Sequence, residues 1–299
     1  MNSLAKNSIR WTCCAAVFFA FITLQQQKAA AATLSSGWNY AIDSFSDGVT
    51  GVQIGGGEFE FYGIAVKETS DTAFIAINSN LSLAGYADPL VQRGNINYGD
   101  LFFNFSGQNF NTANANGSLF GIRFAGGNDS DVATTGVYSN VTAKSVTQIN
   151  SGFTNLTQYS DRVESAGGTP SIGDLSATDP YFEQTGNSTV LNSIAAGTKV
   201  AEINYLTPEA LSALGLNFAQ FKAVGSQTIG FSFNKSSMPS GNYIANLFAE
   251  CANDAIALKS SFQTASAEAV PEPSTILGTL AGFTILGIGA AKRKIKYRN

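Results

Sequence analysis

The sequence predicts a mainly β protein: a β-sandwich body of jelly-roll type with one or two short helices, followed by a single C-terminal transmembrane helix. Three observations lead there. Segments rich in strand formers recur between residues 33 and 259, separated by clusters of Gly, Asn, Asp and Ser. Charged residues make up only 13% of the chain, which also holds 30 Gly and 22 Phe. That is the composition of aromatic strands joined by tight turns. Near the end, residues 274–291 carry no charge at all.

Taken in order, residues 1–32 read as a secretory signal peptide. Lys6 and Arg10 give the basic start, residues 11–24 the apolar stretch, and Ala29 to Ala32 a small-residue cleavage site. A retained membrane anchor is the alternative, but it needs about 20 apolar residues. This stretch has 14.

The body follows, over residues 33–259. Strands are expected over 58–66, 72–77, 101–105, 119–124, 137–146 and 228–233. Gly126-Gly127-Asn128-Asp129-Ser130 and Asn114-Ala115-Asn116-Gly117 read as turns between them. One helix is marked at both ends: Thr207 can cap it, Pro208 fits its first position, and Gly215 can stop it after Leu214. Residues 150–200 are more polar and irregular, which leaves room for a second, smaller lobe. Over residues 260–269 Ser, Ala and Thr replace the apolar alternation, as in a linker.

The last segment, residues 270–299, has three parts in a fixed order: Pro271-Glu272-Pro273, the uncharged span 274–291, and a basic end at 292–299. Eighteen residues are just enough to cross a bilayer as a helix, and Gly278, Gly282, Gly287 and Gly289 are tolerated there. Lys292, Arg293 and Lys294 would hold the end on the cytoplasmic side. The two prolines force an extended spur just outside the membrane. This tail closely resembles the PEP-CTERM sorting signal of bacterial surface proteins. The resemblance implies that an exosortase, a membrane-embedded processing enzyme, reads Pro271, Glu272 and Pro273 and removes the tail. More weakly, residues 60–68, 119–125 and 250–254 resemble a group of cyanobacterial surface proteins with the same tail and no assigned activity.

Charge and missing residue types narrow the function. Residues 33–270 carry 9 basic and 20 acidic side chains, a net of −11, so an acidic body disfavours nucleic acid. The chain has no histidine, which removes Ser-His-Asp and Cys-His nucleophiles and nearly all zinc sites. Cys13 and Cys14 would leave with the signal peptide. Cys251 then stands alone, and its apolar neighbours make it a buried thiol.

Four motifs invite chemistry. Asn128-Asp129-Ser130-Asp131 offers calcium ligands in Asp129 and Asp131, but it lacks the Gly and terminal Glu of a full calcium loop and reads better as a turn. Glu58 and Glu60 would share one strand face about 7 Å apart, close enough to suggest a glycosidase pair, although alternate acids usually mark a solvated face. Gly55-Gly56-Gly57 precedes a strand and reads as a turn, not a phosphate loop. Asn104, Asn128, Asn140, Asn155, Asn187 and Asn234 fit Asn-x-Ser/Thr, leaving glycosylation open. No catalytic group and no cofactor is expected.

The expected function is a non-enzymatic envelope or extracellular-matrix protein with a structural or interaction role. It would pass through the inner membrane on its way to the surface, and extracellular polysaccharide is a further possible partner. A displayed carbohydrate-binding module is the alternative, since exposed aromatic rings could stack on sugars. A carboxylate-based glycoside hydrolase is the weaker one.

Overall fold

A computed structural model of the chain describes residues 33–183 and 188–264. It is mainly β, with 39% strand and 15% helix. The first half holds β1 (Thr33–Ser35), β2 (Trp38–Ile42), the short pair β3 (Val49–Thr50) and β4 (Gln53–Ile54), β5 (Phe61–Glu68) and β6 (Thr72–Ser79). A second short pair, β7 (Tyr86–Ala87) and β8 (Asn95–Ile96), leads to β9 (Leu101–Asn104), α1 (Phe110–Ala115), β10 (Leu119–Arg123) and β11 (Gly136–Lys144). Then come α2 (Leu156–Ser165), β12 (Ser193–Ala201), β13 (Asn204–Leu206), α3 (Pro208–Ala213), β14 (Gln227–Asn234), β15 (Gly241–Phe248) and β16 (Ala255–Phe262).

The larger strands form two six-stranded antiparallel sheets, ordered β1-β2-β5-β6-β14-β13 and β12-β11-β10-β9-β15-β16. Each is a run of consecutive hairpins completed by a later pair. β14 adds beside β6 over eight residues, and β15 adds beside β9. Neither sheet is complete until the last third of the chain has folded.

Between the sheets lies an apolar core crossed by a column of rings. Phe61 of β5 stacks on Tyr98 with centroids 5.6 Å apart, Tyr98 meets Phe124 at 5.3 Å, and Phe124 stacks on Phe231 of β14 at 5.4 Å. The outer faces are covered too. α3 and the turn of helix at Phe218–Phe221 cover Trp38, Tyr40 and Ala76 of the first sheet. Gly230 makes room, since a Cβ there would lie 2.6 Å from Leu211 of α3. On the second sheet, α2 sets Leu156, Tyr159 and Val163 in one apolar cluster with Phe102 of β9 and Tyr138 of β11. The irregular stretch after residue 150 thus shares its core with the second sheet. Burial of both faces explains the imperfect alternation of the strands: all four residues of β9 are buried.

Several boundaries differ from expectation. The strand placed at 58–66 begins at Phe61, because Gly57, Glu58 and Phe59 belong to a turn. Asn114 and Ala115 lie in α1, which Asn109 caps by accepting the Thr112 N–H at 2.8 Å. β16 runs to Phe262, three residues into the expected linker, and Phe262 packs on Tyr243 with centroids 4.8 Å apart. α3 agrees with expectation: Thr207 Oγ1 accepts the Ala210 N–H at 3.3 Å, and Gly215 follows Leu214 with φ +81°.

The expected signal peptide (1–32) lies outside the described residues. So do Pro271, Glu272, Pro273, the span 274–291, and Lys292, Arg293 and Lys294. Among the described residues, no helix is long and apolar enough to cross a membrane.

Candidate functional site

An open cleft of about 920 Å³ lies on the second sheet. Its floor is the start of β15 and the end of β16, through Asn242, Tyr243, Ile244, Lys259, Ser260 and Ser261. The loop Gly107-Gln108-Asn109 forms one wall, Pro180 and Tyr181 another, and Asn39 of β2 reaches in to donate to Ser260 Oγ at 3.0 Å. That loop is held by its own polar groups: Asn104 donates to the Gln108 carbonyl at 2.9 Å, and Asn109 is spent on the α1 cap.

Nine of the thirteen described lining residues carry an amide or hydroxyl, and Lys259 is the charged one among them. Asn242 is exposed, and the Tyr243 hydroxyl is buried beside Ser260. Among the described residues no carboxylate lines the wall, and the cleft can donate and accept hydrogen bonds along a neutral polar ligand. Tyr181 and Tyr243 are themselves buried, at 6% and 3% exposure, so neither offers a ring face for stacking.

A second polar site lies where the two sheets meet. Asp43 follows β2, Asp47 sits in the next loop, Glu60 precedes β5, and Asp254 precedes β16. All four are buried, three of them completely. One carboxylate oxygen each from Asp43, Asp47 and Asp254 lies within 4.8 Å of the other two. Backbone N–H groups hold the outer oxygens: Gly173 donates to Asp43 Oδ1 at 2.9 Å, Ser171 to Asp47 Oδ2 at 2.7 Å and Phe61 to Asp254 Oδ2 at 2.7 Å. Gly48 and Gly56 donate to Glu60 Oε2 at 3.0 and 2.8 Å. Asp43 Oδ2, Asp47 Oδ1 and Glu60 Oε1 are left buried with no hydrogen-bond partner.

The electrostatics follow from this crowding. Burial, then the charge of Asp47, pushes the Asp43 carboxyl well above its usual range. Burial raises Asp47 to about 6 against the pull of the Ser171 N–H. Burial and the Asp47 charge raise Glu60 to about 7. Asp254 is driven well upward by burial and then by Asp47, Asp43 and Glu60. Among the described residues, no lysine or arginine forms an ion pair with any of the four.

The motifs singled out in the sequence land elsewhere. Asp129 and Asp131 do not converge: buried Asp129 pairs with Arg93 at 2.7 Å and accepts from Asn150, while exposed Asp131 pairs with Lys144. Each already has its cation. Glu58 and Glu60 do not share a strand face, because both precede β5, Glu58 exposed and Glu60 buried. Gly55 and Gly56 do form a turn, with φ of +78° and +69°. Cys251 is buried, 1% exposed. Of the six Asn-x-Ser/Thr sites named above, Asn104, Asn128 and Asn155 are buried, Asn140 and Asn234 are exposed, and Asn187 lies outside the described residues.

Nothing in the sequence singles out Asp43, Asp47 or Asp254 as a group. Each is a lone acid at a strand end, and only the paired sheets bring it to the others. Comparison with protein-family models, curated proteins and solved structures finds no match to this chain.

Proposed function

We propose that the chain is an exported protein of the cell envelope or extracellular matrix whose β-rich body is an interaction module without catalytic activity. Support for export comes from the signal-peptide pattern at 1–32 and from the PEP-CTERM-like order of Pro271-Glu272-Pro273, the uncharged span 274–291 as a transmembrane helix, and Lys292, Arg293 and Lys294. On this reading an exosortase removes the tail at the inner membrane, and the body passes to the surface. We take the body as a sandwich in which consecutive hairpins dominate, with jelly-roll-like crossing limited to the joins of β14 to β6 and β15 to β9.

The cleft is the observation that favours a binding role, and it leans toward the carbohydrate reading. Its wall of amides and hydroxyls suits a neutral polyhydroxylated chain, recognised by hydrogen bonds instead of ring stacking. The hydrolase reading loses its pair, since Glu58 and Glu60 face different surroundings.

Two measurements test these readings. Intact mass and fractionation should find the native protein shortened at both ends and at the surface, with a Pro271→Ala/Pro273→Ala variant held in the inner membrane. Retention of 274–299 in both forms would reduce the tail to an anchor. Affinity electrophoresis through extracellular polysaccharide from the host should retard the protein. Removing Asn242 and Lys259 side chains should weaken that binding about tenfold, the worth of one to two hydrogen bonds. Equal mobility with and without polysaccharide would remove the sugar reading.

A further inference from the structure

We propose that Asp43, Asp47 and Asp254 bind one calcium ion, which fastens the loop between β2 and β5 to the start of β16. The site is independent of the cleft and of what the cleft binds.

Three features point to a cation. The first is uncompensated charge: three converging carboxylates, with Glu60 beside them, share a buried space that no described lysine or arginine enters as an ion-pair partner. Buried ionised carboxylates are tolerated only when paired, metal-bound or neutralised by protons. The second is unmet bonding. Asp43 is 6% exposed and Asp47 0%, and each keeps one oxygen anchored by a backbone N–H while Asp43 Oδ2 and Asp47 Oδ1 have no hydrogen-bond partner. Buried polar atoms are rarely left so. Asp43 and Asp47 are thus each held by one oxygen with the other left as a free acceptor, while Asp254 accepts from Phe61 through Oδ2 and from Ala255 and Tyr159 through Oδ1.

The third is size. No two of the three oxygens are more than 4.8 Å apart. Two oxygens on opposite sides of a calcium ion, each at about 2.4 Å, can be as far apart as that, so all three fall within reach of one ion. Magnesium holds its ligands at about 2.1 Å and demands a regular octahedron, so it fits three oxygens fixed by the backbone less well. An all-oxygen donor set without His or Cys also suits a hard cation over zinc or copper. The Tyr159 hydroxyl, donating to Asp254 Oδ1 at 3.2 Å, adds one more oxygen to the surround.

The ligands come from two distant parts of the chain. Asp254 receives the N–H of Phe61, and Val49 and Asn253 exchange hydrogen bonds of 2.9 and 2.8 Å beside the site. A bound ion would therefore join the first strands of one sheet to the last strand of the other.

The test uses the full-length chain purified in mild detergent, stripped with EGTA and returned to calcium. Metal analysis after dialysis should give one calcium per chain, with magnesium failing to replace it. At a hundredfold excess over Kd, calcium should raise the melting midpoint by roughly 5–10 °C. Asp47→Asn and Asp254→Asn should each weaken binding at least tenfold, whereas Asp131→Asn should leave it unchanged. Should either variant fail to fold, the wild-type comparison with and without EGTA still decides. No stoichiometric calcium in the wild type, an unmoved midpoint, or undiminished binding by folded Asp47→Asn and Asp254→Asn would overturn the site.

Discussion

Asp174 is a single residue whose environment sets a measurable pH dependence. It sits 5% exposed in the turn closed by Ile172 and Leu175, where Oδ2 accepts the Lys259 N–H at 2.9 Å. Burial raises its carboxyl to about 6 from an ordinary 3.8, outweighing that hydrogen bond and the Lys259 charge. Between those two values the folded chain holds a proton that the unfolded chain releases, so this group's contribution to stability falls as pH rises. Asp174→Asn keeps an acceptor for the Lys259 N–H and removes the titration. Relative to wild type, the variant should gain about 1–3 kcal/mol between pH 4 and pH 7. Urea unfolding at both pH values measures it, and parallel curves for the two proteins would refute it. At this scale the sequence revealed residues whose role is local, such as Cys251 in its apolar stretch and Thr207 at its cap. It hid the buried carboxylates, because one acid looks like any other until its neighbours are known.

At the scale of elements, Asn155 shows how one motif supports two readings. It fits a glycosylation pattern, yet its side chain is 5% exposed and caps α2 by accepting the Gln158 N–H at 2.9 Å. Gln158 in turn accepts the Thr154 N–H at 2.9 Å, closing a reciprocal cap. Asn155→Ala should cost about 0.5–2 kcal/mol, read as a fall of a few degrees in the melting midpoint. An unchanged midpoint would mean the cap is dispensable. Six of the larger strands were legible within about two or three residues at most ends, because Phe, Ile and Val crowd them. β2, β12, β15 and β16 were not; in β12 and β16 Ala, Gly, Ser and Lys fill much of the strand. Such edge strands draw their order from one paired neighbour, not from their own apolar pattern. α1 was lost for a related reason: Phe-Asn-Thr-Ala-Asn-Ala reads as turn until Asn109 is seen to cap it and Phe110 to pack on Phe102 at 5.4 Å.

For the whole molecule, the extent of the body is a prediction in itself. A boundary at residue 259 follows apolar patterning, but β16 continues to Phe262, whose ring lies among Phe103, Phe105 and Tyr243. A chain ending at 259 should lose on the order of 3–5 kcal/mol against one ending at 264, the cost of deleting a buried phenylalanine. Thermal melting of the two would show a gap of roughly 6–20 °C, and coincident melts would restore the earlier boundary. The mainly β class was readable because composition reports it; the pairings of β6 with β14 and of β9 with β15 are long-range and leave no mark in any short window.

The last hairpin bears on what happens when the chain is pulled. Past β16, Gln263 donates its N–H to Glu68 at 3.1 Å, while the Lys235 ammonium grips both Glu68 at 2.9 Å and the Gln263 carbonyl at 3.1 Å. Beyond this clasp, β16 is joined to β15 by eight residue pairs in series, starting at Gly241 and Phe262. A pull applied beyond residue 264 and drawn away from the sheet would meet those pairs one rung at a time, the weak direction for a hairpin. The clasp is loaded before the first rung. Glu68 and Lys235 therefore set how hard the tail can be tugged before the body begins to peel open from its C-terminal edge.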